Sequence, residues 1–177
     1  MRYTILRILA VAFFILLPDR FVFALRLPTD TELRAAYCMP VVAADADFYR
    51  KAISQLDQLL KSEEQLNNDQ KNHARIQKIQ KSLAEMQQYL VESQVNMRRL
   101  ELYTAPRIYE LDASLLLIAV KRAEEDLDMT RSMAKACVDN CSKSTDLFQC
   151  TSSCGKSGNE EIKQRFQTCR NLSWLPF

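Results

Sequence analysis

The chain has 177 residues, with 24 basic and 22 acidic side chains, one histidine and six cysteines. That near-balance of charge argues against nucleic acid as a partner, because phosphate binding needs a basic surplus on some face. Only two glycines and five prolines are present. This shortage of turn residues argues against a sheet-rich fold and for a few long helices built from Glu, Gln, Lys, Leu and Ala.

Arg2 and Arg7 flank the start of an unbroken apolar run, Ile8 to Leu17, which Pro18 ends. Val22 and Ala24 then stand at the −3 and −1 positions of a cleavage site. Residues 1–24 therefore read as an export signal, with cleavage after Ala24. An uncleaved anchor extended through Phe21 to Leu25 is the alternative, although Asp19 and Arg20 interrupt it. Removing residues 1–24 takes away Arg2, Arg7, Arg20 and Asp19, leaving 153 residues with 21 basic and 21 acidic side chains. That is enough chain for one domain, residues 25–177, with a real core. It has no net pull toward anionic lipid and no later stretch long enough to span a bilayer.

Thr29, Asp30, Thr31 and Glu32 follow Pro28 and read as a capping box. A short helix is expected to run from there to about Cys38, stopped by Pro40, with Leu33, Ala36 and Tyr37 on its apolar side. Asp45 and Asp47 are placed to cap a second helix over about 45–66. Tyr49, Ala52, Leu56, Leu59 and Leu66 give that helix its apolar spacing, with Glu63 as the one polar interruption. Residues 67–72 contain no apolar side chain and read as a turn, a continuous exposed helix being the alternative.

The next helix, 72–104, carries a heptad through Ile76, Ile79, Leu83, Met86, Leu90, Ser93, Met97 and Leu100. A coiled-coil dimer and an intramolecular bundle both fit that seam. The flanking positions, among them Arg75, Gln80, Gln87, Tyr89 and Glu101, lack the alternating charges that select zipper partners, which favours the bundle. Beyond Leu100 the series lands on Arg107, Ser114 and Lys121, and Pro106 sits at the failure. A reversal is expected there, with Thr104 or Ala105 as the new cap and a helix over 108–141. Leu111, Leu115, Ile118, Val120, Ala123, Leu127 and Ala134 would face inward. The matched lengths of 72–104 and 108–141 suggest that these two form a long antiparallel hairpin. The run Leu115 to Val120 is apolar all round and reads as a central helix covered on most sides, with membrane insertion or a partner-binding patch as alternatives. Glu124, Glu125, Asp126 and Asp128 read as a solvated face, since a calcium loop needs a different pattern.

Cys137 and Cys141, and then Cys150 and Cys154, form two C-x3-C pairs. Cysteines at i and i+4 share one helix face. If the two pairs lie on an antiparallel helical hairpin, Cys141 faces Cys150 and Cys137 faces Cys154. Ser144, Thr145 or Asp146 could cap the second helix, and Gly155 could end it. Cys38 and Cys169 remain for each other, tying the first helix to the last. The twin C-x3-C stretch resembles the helical hairpins of small mitochondrial carrier chaperones and of plant hairpin peptides. The resemblance covers Cys137 to Cys154 and implies a hairpin with two parallel staples. It carries no function across, and those small proteins lack the export signal and long flanking helices of this chain. A four-thiolate zinc site is the competing reading. Its usual spacing is C-x2-C, and an oxidising compartment favours disulfides.

Asn159, Glu160 and Glu161 start a last helix, over about 159–170, with Ile162, Phe166 and Cys169 on one face. The tail from Asn171 to Phe177 is apolar enough to pack back on the bundle. His73 lies in a polar stretch with no acid or cysteine at ligand spacing. Gly155, Lys156 and Ser157 resemble the end of a phosphate loop, but the glycine needed five residues before is Cys150. No nucleophile motif frames any serine. Asn140 and Asn171 stand in glycosylation sequons, which matter only in a eukaryotic secretory path.

These features define an all-α, elongated helical bundle with a stapled C-terminal hairpin, no cofactor and no catalytic or metal site. The expected function is that of a secreted or periplasmic module, not an enzyme, which binds another protein through a helical face that the sequence does not identify. The alternatives are a structural, envelope-associated homo-oligomer through 76–100 and a membrane-active effector using 115–120.

Overall fold

The structure, a computed structural model, describes residues 25–66, 72–141, 150, 154 and 159–176. The expected export signal, most of the turn expected at 67–72, the connection between the two C-x3-C pairs and Gly155 to Ser157 lie outside these residues. The described residues form four α-helices and a closing 3-10 turn: α1 (Asp30–Glu64), α2 (His73–Thr104), α3 (Ala113–Cys141), α4 (Glu160–Arg170) and Leu172–Trp174. The fold is all-α, as the residue usage predicts. No helix among the described residues is long and apolar enough to cross a membrane.

α1 begins at the expected capping box. The Thr29 side chain accepts the Glu32 N–H, and the Glu32 carboxylate accepts the Thr29 N–H at 2.8 Å. Pro40 does not stop it. The expected pair of helices is one 35-residue helix, with Pro40 inside. An interior proline costs about 3 kcal/mol, and burial on both sides of it offsets that cost. Ala35, Ala36, Tyr37 and Cys38 before Pro40, and Val41, Val42 and Ala46 after it, are all buried. A break would expose one of these two sets. Asp45 and Asp47 are consequently mid-helix residues rather than caps.

α2 matches its expected span, with Asn72 as N-cap accepting the Arg75 N–H at 3.1 Å. It runs antiparallel to α1. Arg75 meets Glu63 at 2.9 Å, the rings of Tyr89 and Tyr49 lie 5.5 Å apart, and Thr104 Oγ1 is 3.8 Å from Met39 Sδ. The pairing gives Glu63 its place. It is a buried carboxylate held by Arg75 across the reversal, not a flaw in an apolar stripe. Leu59 and Leu66 are exposed, whereas Tyr49, Ala52 and Leu56 are half-buried as expected, together with Ile53 and Leu60.

The long hairpin is therefore α1 with α2, not the helices at 72–104 and 108–141. α3 packs on α1 and runs parallel to it, Ala36 lying near Leu116 and Val120 and Asp47 near Arg131. It also starts five residues later than expected. Ala105, expected as a cap for α3, is the C-cap of α2, and residues 105–110 form turns. Arg26 then pairs with this connection: its N–H donates to the Glu110 carbonyl at 2.9 Å, and its carbonyl accepts the Asp112 N–H at 3.1 Å. These bonds hold the chain extended until Asp112 Oδ1 takes the Ser114 N–H at 2.9 Å and opens α3.

α4 lies against α1 through the Cys38–Cys169 disulfide and a two-point contact of Arg170 with Asp45 at 2.7 and 2.8 Å. Asn159 caps it, accepting the Glu161 N–H at 2.9 Å. The tail folds back as its composition predicts. Leu172 and Leu175 are buried, and Arg34 stacks 5.3 Å over Trp174. The core joins Val41, Val42, Leu100, Tyr103, Ala123, Phe166 and Leu172.

Candidate functional site

A helix can be covered on all sides, and α1 is covered on three. α2, α3 and α4 each pack against it. At 100° per residue, the contacts assign each neighbour a side. Ala35, Val42 and Tyr49 point toward α2, and Tyr37 and Ala44 toward α3. Cys38 and Asp45 point toward α4. Ala36, Pro40, Ala43 and Asp47 follow one another at three- and four-residue spacing along the side opposite α4. No helix among the described residues covers that side.

The result is a trough with α1 as floor and α2 and α3 as walls. At one end, Ala36, Met39, Ile108, Leu111, Leu116 and Val120 enclose an apolar groove of about 360 Å³. Farther along, the walls turn polar. Met97, Arg98 and Glu101 stand on the α2 side, and Glu124, Asp128 and Arg131 on the α3 side. Arg98 pairs with Glu101 at 3.3 Å and Arg131 with Asp128 at 2.9 Å, so these charges satisfy one another along their own helices. Most floor residues are small. Ala43 and Ala44 let another backbone approach closely, Asp47 projects from the floor and pairs with Arg50, and Pro40 cannot donate to the carbonyl of the buried Ala36, which lacks its usual helical partner.

Arg107 lines the apolar end. Its guanidinium lies 4.4 Å over the Tyr103 ring and donates to the Tyr103 carbonyl at 2.6 Å. No ion pair among the described residues engages it, whereas the two carboxylates lining the same groove are both held, Glu32 by Arg26 and Glu101 by Arg98. Among the charged residues lining the apolar end, Arg107 is thus the one without an ion pair among the described residues. Tyr109 beside it is 86% exposed.

The run Leu115 to Val120 is not a central helix. Leu117 and Ile118 are 66% and 63% exposed, and only one side of the run is covered, because the central position belongs to α1. Ala134, expected inward, is exposed as well. The heptad seam of α2, with Ile79, Ser93 and Leu100 buried, faces α1 and is used within the chain.

Behind the trough, polar groups pin the helices together. Asp126 belongs to a charge run that reads as solvated, yet it is buried. It accepts the Tyr37 hydroxyl at 2.7 Å and Arg165 Nε at 2.9 Å, with Arg122 at 3.7 Å. Its flanking acids Glu124, Glu125 and Asp128 are exposed, as expected. Burial, together with the bond to Asp126, pushes the Tyr37 hydroxyl up to about 12. The one sequence signal for Asp126 is its position three residues after Ala123, on the buried face of α3. Just before α1, the Arg26 guanidinium holds the buried Glu32 carboxyl down at about 2.

The six cysteines pair as Cys38–Cys169, Cys137–Cys154 and Cys141–Cys150, with Cα separations of 5.0, 5.6 and 5.6 Å. In the second and third bonds the sulfurs form one cluster. Cys141 Sγ lies 3.7 Å from Cys154 Sγ, and the sulfurs of Cys137, Cys141 and Cys154 all fall within 4.8 Å of one another. His73 is exposed at the first turn of α2. Asn140 and Asn171 are exposed, and Asn171 Oδ1 accepts the Ser173 N–H at 3.2 Å.

No protein family model matches this chain, and no curated protein and no solved structure matches it either.

Proposed function

We propose that this is an exported, non-enzymatic helical module that receives a helix of a partner protein in the trough between α2 and α3. The observation that carries the reading is the fourth side of α1. Pro40, Ala43 and Ala44 form a half-buried floor of small residues between two walls, which is the shape a helix laid in a groove requires. The apolar-to-polar gradient along the walls suits an amphipathic segment. The unpaired Arg107 suits a carboxylate on that segment, seated at the apolar end. Export is supported by the sequence of residues 1–24 and by the use of all six cysteines in disulfides, which persist in oxidising compartments.

Site-specific photo-cross-linking in the native compartment tests this. A photoreactive side chain at Ala43 or Ala44 should capture one partner, and the same group at Gln55 or Gln164, outside the trough, should not. Arg107→Glu should weaken the capture. Equal cross-linking at all four positions, or none in the trough, would remove the reading.

A second reading rests on Leu117 and Ile118, the exposed apolar pair on α3. They give a membrane-active role a point of contact. Leakage of dye from liposomes, lost in Leu117→Ser with Ile118→Ser, would favour it over protein binding.

A further inference from the structure

We propose that Cys137, Cys141, Cys150 and Cys154, when reduced, form a tetrathiolate site for one zinc ion. The two disulfides are the other end state of the same four sulfurs. The inference is independent of the trough, which lies elsewhere on α3.

Zinc–thiolate bonds of about 2.3 Å place the sulfurs of a tetrahedral site about 3.8 Å apart. Cys141 Sγ and Cys154 Sγ, which are not bonded to each other, already stand 3.7 Å apart. The sulfur of Cys137 lies within 4.8 Å of both. The bond to Cys141 brings the Cys150 sulfur into the same cluster. The contact between the two disulfides is therefore already near one tetrahedral edge, and the two bonded pairs must open to reach the same spacing. Cys137 and Cys141 sit one turn apart on α3, which fixes the spacing of one pair of ligands. Cys141 and Cys154 are buried and Cys137 is half-buried, so the cluster is shielded yet open on one edge to an arriving ion. Soft thiolates in a tetrahedral set select zinc over hard cations. The third disulfide, Cys38–Cys169, stands apart at the α1–α4 contact and contributes no ligand.

The chemistry balances with a small dithiol as reductant. Each disulfide receives two electrons and two protons from one dithiol, which leaves as its cyclic disulfide. Zinc then replaces four thiol protons, and the site carries a net charge of −2. Reoxidation by two equivalents of a small disulfide, each taking two electrons and two protons and leaving as its dithiol, reforms both bonds and releases the ion.

The test uses the exported chain, reduced with dithiothreitol and freed of it without air. Cobalt is the probe and zinc the competitor. The reduced protein should bind one cobalt ion per chain, with the visible bands of a tetrahedral thiolate complex, and lose it to one equivalent of zinc. Close to four protons should be released per ion at neutral pH. Oxidised protein should bind none. The double variant Cys38→Ser with Cys169→Ser should bind as the parent does, and Cys141→Ser should bind at least ~10-fold more weakly. Circular dichroism guards against a trivial failure. Reduced protein that stays helical without taking metal overturns the proposal, and so does unfolded reduced protein that gains no helix when zinc is added. Loss of binding in the Cys38/Cys169 double variant overturns it as well.

Discussion

The Tyr37 hydroxyl donates to the buried carboxylate of Asp126 at 2.7 Å, across 89 residues of chain, and Arg165 of α4 reaches the same carboxylate at 2.9 Å. One acid thus joins three helices. Tyr37→Phe should lower stability by about 1 kcal/mol, the net worth of one hydrogen bond. Asp126→Ala should cost more, about 3 kcal/mol, because it strands both the hydroxyl and the guanidinium. Thermal unfolding of the two variants checks the order. Burial raises the Tyr37 hydroxyl from 10.0 to about 12, so its contribution is complete below pH 10 and fades as pH climbs through 12. The Tyr37→Phe variant should lose less stability than the parent over that interval.

Glu32 sets the acid limit. Its carboxyl is lowered from 4.5 to about 2, first by the Arg26 bond and then by Thr29, against the opposing pull of burial. A depressed acid stabilises the fold above its unfolded value and loses that contribution as pH falls toward its folded one. Glu32→Gln should therefore be less stable than the parent at neutral pH. The gap should narrow between pH 4.5 and 2. A constant gap across that range, measured by denaturant unfolding, would show that the charge of Glu32 contributes nothing.

Pro40→Ala should stabilise the protein. Alanine restores the N–H that the Ala36 carbonyl lacks and relieves the steric cost of an interior proline, for a gain of up to about 3 kcal/mol. A higher melting temperature is the expected outcome. If the open carbonyl helps seat a partner helix, the same variant should also give weaker cross-linking from Ala43.

Cys38→Ser or Cys169→Ser removes a bond that closes a sequence separation of 131 residues. The chain-entropy estimate for such a loop is about 4–5 kcal/mol. The melting temperature should fall, while mass spectrometry of non-reduced peptides should still find Cys137–Cys154 and Cys141–Cys150.

What the sequence determined by itself is local or set by register. The Thr29–Glu32 box starts α1 and Asn159 starts α4, because a cap is satisfied by groups within one turn. The cysteine pairing also follows from spacing, because a disulfide forms only where Cα atoms approach closely, and twin i, i+4 pairs have one parallel way to do so. The arrangement of the helices was decided by tertiary structure. Periodicity marks which face of a helix is apolar but does not name what covers it. The heptad of α2 and the apolar start of α3 fit each other as well as either fits α1. Pro40 argues locally for a break, and only the burial of α1 on both sides of it, against α2, α3 and α4, outweighs that cost. With α1 continuous it becomes the central helix, and Asp126 is buried against it. The side of α1 opposite α4 is left open, and so the trough follows from packing that no single stretch of the chain contains.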